Sequence, residues 1–102
     1  IPVIELLFNN STLGMVRQWQ KLFYDRRYSQ TDLGRTTDFC KLAEAFGVKA
    51  LRIETRDQIE PTLREALAYN GPILIDCRID HDINVLPMVP AGASVEEPLL
   101  DI

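Results

Sequence analysis

Short apolar runs alternate with amphipathic stretches along this chain. Pro2–Phe8 (PVIELLF) is apolar on both sets of alternating positions except Glu5, which predicts a strand buried in a parallel sheet. Asn9-Asn10-Ser11-Thr12 follows as turn and N-cap residues. Met15, Val16, Trp19, Leu22 and Phe23 recur at helical spacing, so an amphipathic helix comes next, and its stripe reads as core. The polar stretch Asp25–Arg35 is a loop. A second helix starts near Thr37-Asp38, turns Phe39, Leu42, Ala43 and Phe46 inward, and stops at Gly47 in the C′ position.

Val48–Ile53 (VKALRI) alternates and predicts a second strand. Thr55-Arg56-Asp57-Gln58 has the T-x-x-Q form of a capping box, with Ile59, Leu63 and Leu67 as the stripe behind it. Pro61 is awkward there, because inside a helix it removes an N–H and clashes with the preceding turn. The helix therefore begins near Glu60 or bends at Pro61. Asn70-Gly71-Pro72 closes it, and Ile73–Cys77 is a further buried strand. From His81 onward Pro87, Pro90 and Pro98 punctuate an extended tail. The order β-α-α-β-α-β-tail predicts an α/β fold with a parallel sheet. Residues 1–80 form the domain and 81–102 the tail. Open parallel sheets bind ligands at the carboxyl ends of their strands, which directs attention to the loop after the first strand.

Composition narrows the class. With 102 residues the chain makes about one domain, since domains run ~100–200 residues. An apolar fraction of 46% excludes disorder, and no apolar run is long enough for a membrane span. Eleven Lys and Arg against fifteen Asp and Glu give a net charge of −4, which argues against a nucleic-acid partner. Cys40 and Cys77, without a secretory leader pattern, suit a reducing compartment. The chain opens at Ile1 rather than Met, so a segment of a longer protein is expected.

Candidate chemistry is sparse. Asn9-Asn10 offers hard amide oxygens for Mg²⁺ beside a helix N-terminus that suits phosphate; the pair also fits a plain Asn-capped turn. Gly14 either admits a close ligand or eases a bend. His81, the one histidine, reads as a solvated turn residue between Asp80 and Asp82. Cys40 and Cys77 lack metal-site spacing and read as small core residues. Arg17, Lys21, Arg26, Arg27 and Arg35 form a basic patch, read as solvated surface.

Taken together, Asn9-Asn10-Ser11-Thr12-Leu13-Gly14-Met15-Val16-Arg17-Gln18-Trp19-Gln20 resembles the catalytic large subunit of acetolactate synthase (acetohydroxyacid synthase). The likeness continues through Leu22-Phe23-Tyr24, Arg27-Tyr28-Ser29, Asp38-Phe39, Lys41–Gly47, Gly71-Pro72 and Pro87–Gly92, and so spans nearly the whole chain. It implies the C-terminal part of a Rossmann-like thiamine-diphosphate-binding domain. Carried over by position, Asn10 is a side-chain Mg²⁺ ligand and Thr12 a backbone one, and Gly14 and Met15 lie against the cofactor. Met15, Val16, Trp19 and Ala91 line the substrate pocket, where Trp19 favours 2-oxobutyrate.

The implied reaction condenses pyruvate with a second pyruvate or with 2-oxobutyrate, losing CO₂, in branched-chain amino acid biosynthesis. No catalytic residue is expected in these residues. The family's opening Gly-Asp-Gly motif, its FAD-binding domain and the glutamate of its partner subunit all lie outside them. The resemblance implies a homodimer or higher homo-oligomer with the rest of the catalytic subunit, a possible regulatory small subunit, and a cytoplasmic, plastid or mitochondrial setting. It further implies that these residues alone bind the cofactor weakly or not at all, catalyse nothing, and self-associate through the open edge of Pro2–Phe8. Two alternatives stand: another thiamine-diphosphate enzyme, against which Gln18-Trp19-Gln20 argues, and a non-catalytic α/β interaction module.

Overall fold

A computed structural model describes residues 1–34 and 37–101. Strand β1 (Ile4–Asn9), helix α1 (Gly14–Phe23), helix α2 (Phe39–Ala45), strand β2 (Lys49–Ile53), helix α3 (Ile59–Ala68) and strand β3 (Ile73–Arg78) follow one another along the chain. The three strands form one parallel sheet in the order β1-β3-β2, so the α/β parallel architecture expected from the sequence is the one observed.

The last strand in sequence is therefore the central one. That position explains why Ile73, Ile75, Asp76 and Cys77 are all buried. Ile73, Ile75 and Cys77 point to the face covered by α3, where they pack with Ile53 and Ala66, flanked by Leu51 and Leu63. Residues of the other parity, Leu74 and Glu5 among them, face Phe39, Leu42 and Ala43 at the start of α2 and beyond. Alternation along a strand makes this division.

Pro61 is accommodated without a kink, as the earlier of the two predicted options. The capping box of Thr55 and Gln58 forms around a single 3₁₀ turn, Arg56–Gln58, and α3 begins at Ile59. Pro61 thus lies in the first turn, where backbone N–H groups have no intrahelical partner to lose. Gly47 takes φ +73° immediately after the C-cap of α2, as its C′ position requires.

Several expectations are corrected. The first strand runs from Ile4 to Asn9 rather than Pro2 to Phe8; its apolar pattern predicts a buried strand, but it is the open edge also expected of this segment, with Ile4, Leu6 and Phe8 all exposed. Its sequence is that of a strand with two covered faces, but β3 alone pairs with it. Leu42 and Phe46 border the sheet-facing hollow but stay exposed rather than buried, because α2 is only seven residues long and seats itself through Ala43. Ile59 and Leu67 are likewise exposed, and Ala66 supplies the close approach of α3 to the sheet. The radius of gyration is 17.1 Å, against about 13 Å for a compact domain of this size.

Candidate functional site

The carboxyl end of β1 feeds a loop built from two successive side-chain turns. Asn9 Oδ1 accepts the Ser11 N–H at 3.2 Å, and Asn10 Oδ1 accepts the Thr12 N–H at 3.2 Å. Each amide spans two residues onward, the geometry that makes Asn a turn residue. Ser11 is thereby held at φ +57°, a left-handed conformation that L-residues normally avoid. None of the four polar residues caps α1, contrary to the sequence reading. The N-cap is Leu13, whose side chain can accept nothing. The first N–H groups of α1 consequently lack a side-chain acceptor, and such a terminus favours an anion.

Thr12 turns its hydroxyl away from the loop, donating to the Thr31 carbonyl at 2.6 Å, and is buried. It forms an antiparallel bridge with Asp32, flanked by bonds from Leu13 N to the Thr31 carbonyl and from Leu33 N to the Ser11 carbonyl. That pattern leaves the Thr12 carbonyl itself unspent on the bridge. A Cβ added at Gly14 would lie 2.6 Å from Asn10 Nδ2. What comes close to this glycine is therefore the Asn10 side chain, which would have to move if a methyl group were present. The loop, with Arg78 and Phe39, borders a cavity of about 260 Å³.

The donor set of the loop matches what Mg²⁺ and a diphosphate require. An amide oxygen and a backbone carbonyl are hard oxygen donors, as Mg²⁺ requires, and uncapped helix N–H groups suit the diphosphate. The residues present fit one side of such a site; a carboxylate ligand does not stand among them. Among the described residues, His, Cys, Asp and Glu side chains close enough to share an ion occur only at Asp80, His81 and Asp82, all exposed.

Helix α1 presents its apolar stripe outward. Met15, Val16, Trp19 and Phe23 are between 42% and 51% exposed, which overturns their reading as core. Met15, Val16 and Trp19 instead line a cavity of about 670 Å³ with Gln20, Tyr24, Arg27 and Ser29, a size typical of ligand pockets, roughly 300–1,000 Å³. Trp19 and Phe23 meet edge to face at 5.5 Å. Ala91 lies next door rather than inside, in a smaller hollow with Pro90, Phe23, Trp19 and Tyr24. Trp19 and Tyr24 border both spaces.

The buried residue of α1 is polar. Gln18 is 3% exposed, its Oε1 accepting the Val85 N–H at 2.7 Å while its Nε2 donates to the Val85 carbonyl at 3.0 Å. One side-chain amide therefore occupies both backbone groups of a tail residue. Beside it, Arg17 Nε donates to Asp82 Oδ1 at 2.8 Å and the guanidinium stacks 3.9 Å from the Tyr28 ring centre. Its bond to Arg17 holds the Asp82 carboxyl below the usual range. Arg17 is thus not solvated surface, as the basic-patch reading had it; Arg35 of that patch lies outside the described residues. Among its described residues the tail has no helix or long strand but returns on itself through a bridge between Met88 and Leu99.

Two groups escaped the sequence reading. Gln18 registered only as a flank of Trp19, and Asp76 only as part of a strand. Asp76 is fully buried; its Oδ1 accepts from Asn9 Nδ2 at 2.9 Å, and its Oδ2 from Arg78 Nε at 2.9 Å and Arg52 Nε at 3.3 Å. Arg52 also reaches Asp38 Oδ1 at 3.1 Å, while the Lys41 N–H at the N-terminus of α2 lowers the Asp38 carboxyl. An acid within an apolar run was the available signal, since burying a carboxylate demands partners. Cys77 is core and Cys40 partly buried, and burial pushes both thiols up.

The geometry can be set beside known proteins. The chain is 52% identical over 92 residues to a protein of Methanocaldococcus jannaschii described as a probable acetolactate synthase large subunit. It is 44% identical over 96 residues to the mitochondrial acetolactate synthase catalytic subunit of Saccharomyces cerevisiae. These matches take in 90% and 94% of this chain but only 15% and 14% of those proteins. Among solved structures, the thiamine diphosphate-dependent 4-hydroxybenzoylformate decarboxylase of Rhodococcus jostii RHA1 matches with a TM-score of 0.70 and 31% identity, over 78% of this chain and 15% of that one. No described helix is long and apolar enough to cross a membrane. The family profile described as thiamine pyrophosphate enzyme, C-terminal TPP binding domain, matches residues 1–77, and the chain belongs to that family.

Proposed function

We propose that this chain supplies one side of the cofactor site and one wall of the substrate pocket of an acetolactate synthase. Residues 1–80 are the cofactor-binding portion and 81–102 the tail that backs the pocket. The observation that carries the reading is the pairing of the Asn-turn loop at the N-terminus of α1 with the outward apolar stripe that begins in the helix's first turn. The loop and the uncapped first turn offer hard oxygens and N–H groups. The stripe offers an apolar wall of about 670 Å³ within one to two turns.

On this reading Asn10 holds Mg²⁺ through its amide oxygen and Thr12 through its carbonyl. Gly14 and Met15 lie against the cofactor. Met15, Val16 and Trp19 face the acceptor substrate, with Ala91 behind Trp19, and exclude water from it. When bound, thiamine diphosphate supplies an electron sink for loss of CO₂ from a 2-oxo acid and for the carbon–carbon ligation that follows. The opening half of the cofactor motif, an FAD-binding domain and the second protomer of a homodimer come from outside these residues, as does any regulatory small subunit. The yeast relative is described as mitochondrial; for the protein that carries this chain a cytoplasmic, plastid or mitochondrial setting fits, according to its host.

The test uses the full-length gene product with Mg²⁺ and thiamine diphosphate. Pyruvate alone is expected to give acetolactate, and added 2-oxobutyrate is expected to divert product to acetohydroxybutyrate. Trp19→Leu is expected to lower that diversion; an unmoved product ratio removes Trp19 from the pocket. A second reading, a decarboxylase of 2-oxo acids, draws on the Rhodococcus neighbour. Release of free aldehyde without ligated product favours it. A chain that binds no cofactor in the full-length context returns the module to a non-catalytic, interaction-only role.

A further inference from the structure

We propose that Asp76, buried beneath the loop in the central strand, is a positioning residue for the cofactor site, acting through Asn9. The proposal rests on the thiamine-diphosphate reading above and extends it to a residue that touches neither loop backbone nor ligand. The register pairs Asp76 with Leu7 on one side and Arg52 on the other. Asn9, two residues beyond Leu7, lies on the same face of the sheet. The carboxylate therefore sits directly below the last residue of β1.

The chemistry of the contact fixes one orientation of the amide. Asp76 Oδ1 can only accept, so it faces Asn9 Nδ2, 2.9 Å away. Asn9 Oδ1 is then aimed at the Ser11 N–H. A flipped amide would set oxygen against carboxylate and NH₂ against N–H, two repulsions at once. The Ser11 turn, at φ +57°, is the strained step of the loop, and it sets the direction in which Asn10 and Thr12 leave the sheet. Arg78 and Arg52 in turn hold Oδ2. The row Arg52–Asp76–Asn9 crosses all three strands and ends in the loop, which links the rigid sheet to the placement of the proposed Mg²⁺ ligands.

The full-length gene product is titrated with thiamine diphosphate at fixed Mg²⁺, and its melting temperature is taken separately without cofactor. Asn9→Asp opposes two carboxylates while leaving both arginines in place, and is expected to weaken binding about tenfold or more, the scale of outer-shell losses. Asp76→Asn is expected to weaken it in the same direction. The double variant Asn9→Asp/Asp76→Asn restores donor-to-acceptor pairing with one carboxylate retained, and is expected to recover most of the affinity. Singles that bind like wild type, a double no better than the two losses combined, or a lowered melting temperature with unchanged affinity each overturn the inference. Should Asp76→Asn fail to fold, Asn9→Asp alone decides by the same affinity criterion. Wild-type protein that binds no cofactor overturns the underlying reading and this inference with it; affected and unaffected variants separate the two.

Discussion

Helices α1 and α3 are both ten residues long and both amphipathic, yet they use their faces in opposite ways. Helix α3 lays Ala66 and Leu63 on the sheet and turns Glu60, Arg64 and Glu65 outward. Helix α1 buries Gln18 against the tail and turns Met15, Val16, Trp19 and Phe23 outward. A hydrophobic stripe is thus evidence of two-sidedness, and what it faces depends on what the rest of the chain brings. Here the sheet is supplied to α3, whereas α1 receives the backbone of Val85, which only a polar side chain can satisfy.

The contrast breaks first at the core beneath α3. Ile75→Ala is expected to cost roughly 2–5 kcal/mol in denaturant unfolding of the full-length gene product, because Ile75 is fully buried and its cavity cannot fill with water. A loss below about 1 kcal/mol there would mean that the sheet is not the stable half. Gln18→Ala comes next, at about 1–3 kcal/mol, since it removes two hydrogen bonds to the Val85 backbone, each worth roughly 0.5–1.5 kcal/mol. Hydrogen exchange at Val85 and proteolysis of the tail should both quicken; unchanged protection would show that the tail is held by other contacts.

The Arg17–Asp82 pair adds a smaller, pH-dependent hold. Asp82 has a folded pKa below its ordinary value. Its contribution is therefore complete above the unfolded carboxylate pKa, about 3.9, and is lost as pH falls through the lowered folded value. Tail cleavage by an acid-active protease should quicken in that window, and Asp82→Asn should abolish the dependence. Smallest for stability is Trp19→Ala, expected within about 1 kcal/mol because the residue is already 42% exposed. Its effect belongs to substrate choice. A large stability loss would return Trp19 to the core and undo the comparison.

Much of the fold was legible. Strand and helix order, the capping box at Thr55, the C′ glycine at Gly47 and the parallel sheet all follow from periodicity and local chemistry, which act within a few residues. The loop after β1 was visible as the candidate site from Asn9-Asn10 and its place at a strand's carboxyl end. What it was made of was not. The asparagines looked like helix caps and instead close two turns, because capping depends on backbone direction at Leu13, which residue type does not encode.

The sequence by itself determined where the elements lie and which side of each is apolar, since those depend on local dihedral preference and spacing. Tertiary structure alone decided which apolar faces are covered and which polar groups are buried. Placing the last strand between the first two brings Asp76 from sixty-seven residues away to Asn9. Folding the tail back brings Val85 the same sequence distance to Gln18. Both contacts join groups whose partners are distant in the chain, and a buried donor or acceptor can be recognised as satisfied only once that partner has arrived.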